Sequence, residues 1–369
     1  MRVVIIAEHA AGAPERGTSQ SQRGLEVAHG WKRAAPHDEV ETHLVSTGGA
    51  GFTDALAPIS DGTAPVVIEG PGGAQMPAQL VRSGTTCYAD TAEVVGTHLG
   101  GIGEQDRVGQ PQVVKDSAAV GELLLAARAT GAERIVVGVA DDVSCHDGGE
   151  GLLRALGAGP DCVDLPQVIQ QWSGLSLVLA TASMVPLTGF GGASASLQSD
   201  RGLDPTTAQE YEAQIGSFVD SVDAALRASR SSQTDLLTGS SVRRERTPGA
   251  GAGGGIGYAL QLLGASTVPG ATFMLEEVGV NRRLPGALVV LVTQCYDWRS
   301  VSSGVVAEAA SAALAVAAPT VLLADEVMVG RREGMSLGIS STYARRPGES
   351  ATELGARVAR TWSPPPRPR

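Results

Sequence analysis

Short apolar runs rich in β-branched residues alternate along this chain with longer stretches whose apolar positions recur every three or four residues. Val3–Ala7 is the first such run and Glu41–Val45 the next strand, and the span from Gln22 to Ala35 between them carries an amphipathic helical pattern. A β-α-β opening is therefore predicted. Val66–Gly70 and Gly84–Ala89 read as short strands of a more antiparallel region, and Ser117–Gly131 as a helix feeding a strand that begins at Ile135. Leu175–Ala180 repeats the strand pattern and Thr206–Arg227 the helical one. The stretch from Ala228 to Pro248 turns polar and arginine-rich, as expected of a mobile surface loop, before a glycine run opens an apolar helix over Ile256–Leu263. The last third predicts strand Ala287–Thr293, helix Val305–Val316, strand Thr320–Ala324 and helix Ala351–Trp362.

Both ends share the β-α-β rhythm while the middle is richer in short strands and turns. The predicted fold class is α/β, with a discontinuous Rossmann-like domain and a second, inserted mixed α/β domain. Its boundaries are expected at residues 1–63 and 266–369 for the first domain and 64–265 for the second.

Composition narrows the function classes. The 369 residues are 43% hydrophobic and only 4% aromatic, which suits aliphatic α/β cores and excludes a wholly disordered chain. A net charge of −11 would repel nucleic acid and anionic membrane, so neither is expected as a partner. No apolar run reaches membrane-spanning length and the N-terminal run is too short for a signal segment, so a soluble cytoplasmic protein is expected. The four cysteines lie far apart, without C-x-x-C spacing, and read as reduced thiols rather than a disulfide or zinc framework. Lys32 and Lys115 are the only lysines, which leaves at most two candidates for a lysine-dependent phosphate site.

Candidate chemistry concentrates where strands empty into turns. After Ile135, Val136, Val137 and Val139 come Asp141, Asp142, His146 and Asp147, and then Gly148-Gly149 ahead of a helix. Glycine turns recur at Gly48–Gly51, Gly148–Gly151 and Gly249–Gly257. Each could present backbone N–H groups to a phosphate or carboxylate, or could be a tight turn that packs closely. None is a Walker A motif, so a standard P-loop enzyme is excluded. Asp147 and Asp297 read either as ligands or as helix caps, and Glu122 on its helix more readily as a solvated side chain. His9 follows the first strand and could act as a general base, although a lone histidine in a turn is more often merely exposed. Arg331-Arg332 at a C-terminal strand edge could meet an anion or form a surface pair.

Several segments stand in a fixed order along the chain: Gly48-Gly49-Ala50-Gly51-Phe52 with Asp54-Ala55-Leu56, Val120-Gly121-Glu122-Leu123, and Ile135-Val136-Val137-Gly138 with Asp147-Gly148-Gly149. Pro186-Leu187-Thr188-Gly189 with Gly192-Ala193, Pro248-Gly249-Ala250-Gly251, and Leu323-Ala324 with Val329-Gly330-Arg331 follow. Taken together, they resemble the bacterial glycerate kinase family. The resemblance implies transfer of the γ-phosphoryl group of Mg-ATP to a hydroxyl of D-glycerate in a cleft between two α/β domains, with ATP and Mg²⁺ as cofactors. The partners so implied are ATP and a small hydroxy acid; a homodimer is a candidate assembly, and the sequence leaves the oligomeric state open. By this reading Asp147 and Asp297 are the metal ligands and, with His9, the catalytic residues. Thr47, Gly48, Gly49, Gly148, Gly149, Arg201, Gly249 and Gly251 bind substrate or phosphate.

The chain also departs from the family pattern. Thr47 stands where the family's D-G-G turn has aspartate, and Glu8-His9 replaces an Asp-containing turn often followed by lysine. The glycine-rich G-G-S-A-x-x-D-G-G loop runs here from Ala140 to Gly149 and carries Asp141 and Asp142 in place of its early glycines. D-V-x-N-P-L becomes Ala182-Ser183-Met184-Val185-Pro186-Leu187, and G-P-Q-K-G becomes Gln198-Ser199-Asp200-Arg201-Gly202. T-G-E-G-x-x-D shortens to Thr293-Gln294-Cys295-Tyr296-Asp297, and the following G-K becomes Ser303-Gly304. Each lost charge-stabilising group costs about 10²–10³ in rate. Asp147, Asp297, Glu122, Asp90 and Arg201 remain, so the expectation divides between a working kinase and a degraded homologue that senses a small acid or serves as a scaffold. A phosphoryl-free reaction on a hydroxy acid, with His9 and Asp141 as its first candidates, is a third reading.

Overall fold

The computed structural model describes residues 1–9, 20–70, 73, 75–97, 116–141, 143–201, 203–229 and 243–363. Gly12, Lys115, Asp142, Gly202, residues 230–242 of the polar stretch and the proline tail from 364 lie outside the described residues, as do the side chains of Gln198 to Arg201. The chain divides into two compact units, Met1–Thr47 with Gly270–Arg369, and Gly48–Pro269. Among the described residues, no helix is long and apolar enough to cross a membrane.

The first unit opens with β1 (Arg2–Glu8), α1 (Gln20–Ala34) and β2 (Glu39–Val45). The second comprises α2 (Phe52–Leu56), β3 (Gly62–Glu69), β4 (Gln75–Ser83), β5 (Thr86–Asp90), α3 (Ala92–Val95), α4 (Ala118–Ala129), β6 (Arg134–Val139), α5 (Glu150–Ala155), α6 (Leu165–Trp172), β7 (Ser176–Thr181), α7 (Ala193–Arg201), α8 (Pro205–Ala228), α9 (Ile256–Leu262) and β8 (Ser266–Pro269). The chain then returns to the first unit through α10 (Gly270–Glu277), β9 (Leu288–Tyr296), α11 (Trp298–Ser302), α12 (Gly304–Ala315), β10 (Thr320–Val327), α13 (Arg331–Ser336), β11 (Ile339–Ala344) and α14 (Ala351–Trp362).

In the first unit the strand order is β11-β10-β9-β1-β2, and all neighbours are parallel. Parallel strands covered on both faces are apolar throughout, which is why Val3–Ala7 and Leu288–Val292 are buried without alternation. Val27 and Trp31 of α1 and Leu354 and Val358 of α14 share a core with Val3, Ile5, Val290 and Leu323, while α12 packs on β1 and β9. The chain leaves β1 toward β2 on one side, and β9 lies on the other side with β10 beyond it. That reversal makes the carboxyl ends of β1 and β9 a topological switch point, where open α/β sheets leave a crevice.

The second unit has strand order β3-β4-β5-β6-β7-β8, antiparallel over its first three strands and parallel from β5 to β8. Its core joins Leu123 and Leu124 of α4, Ile135 and Val137 of β6, Trp172 of α6, Leu179 of β7 and Val222 of α8. Strand β4 carries no clear strand signal, because Pro77 interrupts it and proline lacks a ladder donor. The polar stretch after α8 is anchored at its far end, where Arg244–Arg246 forms a 3₁₀ turn and the Glu245 carbonyl accepts the Leu187 amide at 2.8 Å. Backbone pairing of that kind gives this end a fixed place that its arginine-rich composition does not signal.

Two glycines let α1 and α14 cross with their backbones in contact. A Cβ on Gly30 would lie 1.9 Å from the Thr352 carbonyl oxygen, and one on Gly355 would lie 2.4 Å from that of Val27. Gly30→Ala is expected to cost about 1–3 kcal/mol, read as a lower urea midpoint. Gly216→Ala on α8, where a Cβ meets nothing within 4 Å, should instead gain about 0.4–1 kcal/mol.

Candidate functional site

The carboxyl ends of β5, β6 and β7 carry the glycine turns of the second unit. Asp90 closes β5 and is buried. Its Oδ2 accepts the amides of Gly51 at 2.8 Å and Phe52 at 2.9 Å, and its Oδ1 accepts that of Ala92 at 2.8 Å. The Gly48–Gly51 turn is thereby pinned to the sheet edge, with two of its neighbouring amides committed to protein. Gly48 has φ +94° and lies so close to β7 that a Cβ would fall 2.3 Å from the Ala180 carbonyl oxygen. Gly138 of β6 makes room in the same way for the Phe52 ring, at 2.6 Å from its own Cβ position.

The other two turns interlock. The Gly148 amide donates to the Gly254 carbonyl at 3.0 Å, and a Cβ on Gly255 would lie 2.2 Å from the Gly148 Cα. A Cβ on Gly149 would lie 2.6 Å from the Gly255 carbonyl oxygen, and one on Gly254 would lie 2.3 Å from that of Cys145. Gly251 donates to the Val185 carbonyl at 3.0 Å, with the Pro186 carbonyl oxygen 2.4 Å from its Cβ position. Gly249, at φ +82°, packs against Thr267. Close packing and, at 148, 149 and 249, positive φ thus account for the glycines at 148, 149, 249 and 251.

Asp147 sits inside this lock. Its Oδ2 accepts from Ser117 N at 2.9 Å, Ser117 Oγ at 2.8 Å and Gly151 N at 2.9 Å, and its Oδ1 accepts from Gly149 N at 2.9 Å. Burial raises its pKa while these donors lower it. The carboxylate ties the start of α5 to the residue preceding α4. The neighbouring His146 is buried, with its Nε2 3.0 Å from Ser194 Oγ and its ring edge-to-face with Tyr211 at 5.3 Å between centroids. Ser194 and Tyr211 carry no sequence signal for this pairing, since both lie far along the chain. Asp141 and Glu122 are exposed, and Arg201 ends α7.

In the first unit the switch point gathers a different set. Glu8 ends β1, and burial pushes its carboxyl above the usual range. The following His9 donates its amide to the Val45 carbonyl at 2.9 Å. Asp297 ends the β9 edge as the N-cap of α11, its Oδ1 accepting the Ser300 amide and hydroxyl, both at 3.0 Å. The Ser300 amide, first among its causes, lowers the Asp297 pKa, so this half-exposed carboxylate is ionised at neutral pH. Thr47, the last residue before the second unit, has its Cγ2 3.9 Å from the Cβ position of Gly304, where α12 begins. The two carboxylates singled out from sequence therefore lie in different units, Asp297 in the first and Asp147 in the second.

A magnesium nucleotide asks for one or two carboxylates, since phosphates and water complete the shell. Asp297, ionised and half-exposed, fits that requirement. Among the described residues there is no group of three or more His, Cys, Asp or Glu side chains able to hold a metal without a nucleotide.

The profile of the glycerate kinase family matches residues 18–361. The chain belongs to the glycerate kinase family. Relatives include an uncharacterised protein of Mycobacterium tuberculosis (strain CDC 1551 / Oshkosh), 30% identical over 86% of this chain and 78% of its own. A glycerate kinase of Bacillus subtilis (strain 168) is 25% identical over 90% of each chain. A glycerate 2-kinase of Escherichia coli (strain K12) is 23% identical over 79% of this chain and 76% of its own. The fold is that of a crystal structure of a candidate glycerate kinase 2 from Salmonella typhimurium LT2, with a TM-score of 0.73, 20% identity and 98% of each chain covered.

Two outcomes follow for this family member. Asp147→Ala strands three amides and a hydroxyl, so unfolding in denaturant should show a loss of roughly 2–4 kcal/mol. Burial, the largest cause, pushes Asp90 up to about 8 against its three amide donors. Its folded pKa exceeds the unfolded one of about 4, so its contribution is fully present below that value and lost as pH rises through 8. Asp90→Asn should flatten the stability profile across that window, at a lower absolute stability because an amide NH₂ then faces N–H donors. An unchanged profile would show that Asp90 does not carry the dependence.

Proposed function

We propose that this protein transfers the γ-phosphoryl group of Mg-ATP to a hydroxyl of D-glycerate or a closely related small hydroxy acid. The observation that carries this reading is the family match across residues 18–361, supported by the glycerate kinase of Bacillus subtilis at 25% identity over 90% of each chain. When bound, Mg-ATP supplies the phosphoryl group and part of the charge neutralisation that the transfer needs.

The residues divide by what their environment leaves them. Asp297, ionised at the carboxyl end of β9, is assigned to the cation or to orienting the acceptor hydroxyl. His9, beyond β1 at the switch point, is assigned the hydroxyl proton. Thr47, Gly48 and Gly49 are assigned to the substrate and phosphate side, with Arg201 balancing phosphate charge. Gly249 and Gly251 are reassigned from that side to shaping the turn before α9, because the Gly251 amide already donates to Val185. Gly148 and Gly149 act through the shape of their loop. Asp147 is reassigned from the cation to holding that loop, because both its oxygens already accept hydrogen bonds from protein. The implied compartment is the cytoplasm, where ATP and reduced cysteines coexist.

Isotope-traced transfer from ATP to D-glycerate by the full-length protein tests the activity, and Asp297→Ala should lower kcat by about 10²–10³. A folded protein that labels no member of a small hydroxy-acid panel would overturn the kinase reading. Thermal stabilisation by the acid alone would then mark a sensor.

A further inference from the structure

The strongest feature outside the assigned residues is a buried arginine–aspartate pair, joined by an exposed second arginine, at the carboxyl edge of the first unit's sheet. Arg23, in the first turn of α1, is 6% exposed. It leaves the helix beside β1, where a Cβ on the adjacent Gly24 would lie 2.5 Å from the Ala7 Cβ. Its Nη2 reaches Asp325 Oδ2 on β10 at 2.7 Å, and β9 lies between those two strands. Arg345, exposed and just beyond β11, forms an ion pair with the other oxygen, Oδ1, its Nε at 2.9 Å in a geometry that leaves that oxygen without a hydrogen bond among the described residues. The Arg23 Nη1 is buried and has no hydrogen-bond partner among the described residues.

Two guanidinium groups share the Asp325 carboxylate; solvent screens the exposed Arg345, whereas the Nη1 donor of Arg23 is buried. A buried donor left unpaired is costly. An anionic acceptor at Nη1 would pair it. We propose that Arg23, fixed by Asp325 and Arg345, is an anion-recognition residue for the carboxylate of a small monocarboxylic acid. A carboxylate matches the planar fork of the guanidinium. The inference rests on the proposed acid-kinase reading for its ligand class, and none of the residues assigned there belongs to the cluster.

Binding and turnover by the full-length protein test it. Calorimetric titration with D-glycerate, lactate and acetate should show at least a tenfold weaker Kd for the bound acid in Arg23→Gln, while the Kd for Mg-ATP stays within twofold. Arg23→Lys keeps the charge without the fork and should also weaken acid binding, which keeps the test informative if the glutamine variant does not fold. In turnover, KM for the acid should rise and KM for ATP should hold. Acid affinity within twofold of wild type in a folded variant would overturn the proposal, as would parallel loss of acid and Mg-ATP binding, or a wild-type protein that binds no monocarboxylate. The two readings fail separately. Phosphorylation of D-glycerate with unchanged KM in the variants sinks only the role of Arg23, and Arg23-dependent acid binding without phosphoryl transfer sinks only the kinase.

Discussion

The close contact between the Gly148 and Gly255 backbones fixes two loops of the second unit together. At a Cβ distance of 2.2 Å only glycine fits there. That approach joins the loop after β6 to the loop before α9 and brings the Gly148 amide to the Gly254 carbonyl. Asp147 then lies at the start of α5, where it gathers donors from Ser117, Gly149 and Gly151. Glycine at these positions is a requirement of packing before it is anything else. A ligand bound beside the loop would benefit from its rigidity.

The first unit shows a different economy of charge. Asp297 is solvated enough to remain ionised, and the Ser300 amide keeps it so. Glu8, one strand away at the same edge, is pushed toward the neutral form by burial. Environments that separate two carboxyl groups in this way are what acid-base chemistry uses. Arg23, paired with Asp325, adds a buried guanidinium at that edge.

Legibility in the sequence followed burial. Strands β1, β6, β7, β9 and β10 announce themselves because parallel strands covered on both faces are continuous apolar runs. Strands β4, β8 and β11 are partly exposed or carry proline and serine, so no window separates them from loops. The glycine turns were equally plain, but glycine answers both to a ligand and to a neighbouring backbone, and composition cannot say which. Asp147 had the same ambiguity between ligand and cap, resolved only by four donors from two separate segments. Arg23 and Asp325 gave no signal at all, because their pairing spans most of the chain.

By itself the sequence determined the α/β class, the order of most elements and the family, since each is written in local periodicity or in residues kept in order along the chain. The tertiary structure decided what each polar residue does. Hydrogen-bond saturation, burial and the neighbours of a charge are long-range quantities, and they exist only once the strands have been set side by side. The same aspartate can hold a cation or a loop. The donors around Asp147 and the solvent beside Asp297 separate the two roles.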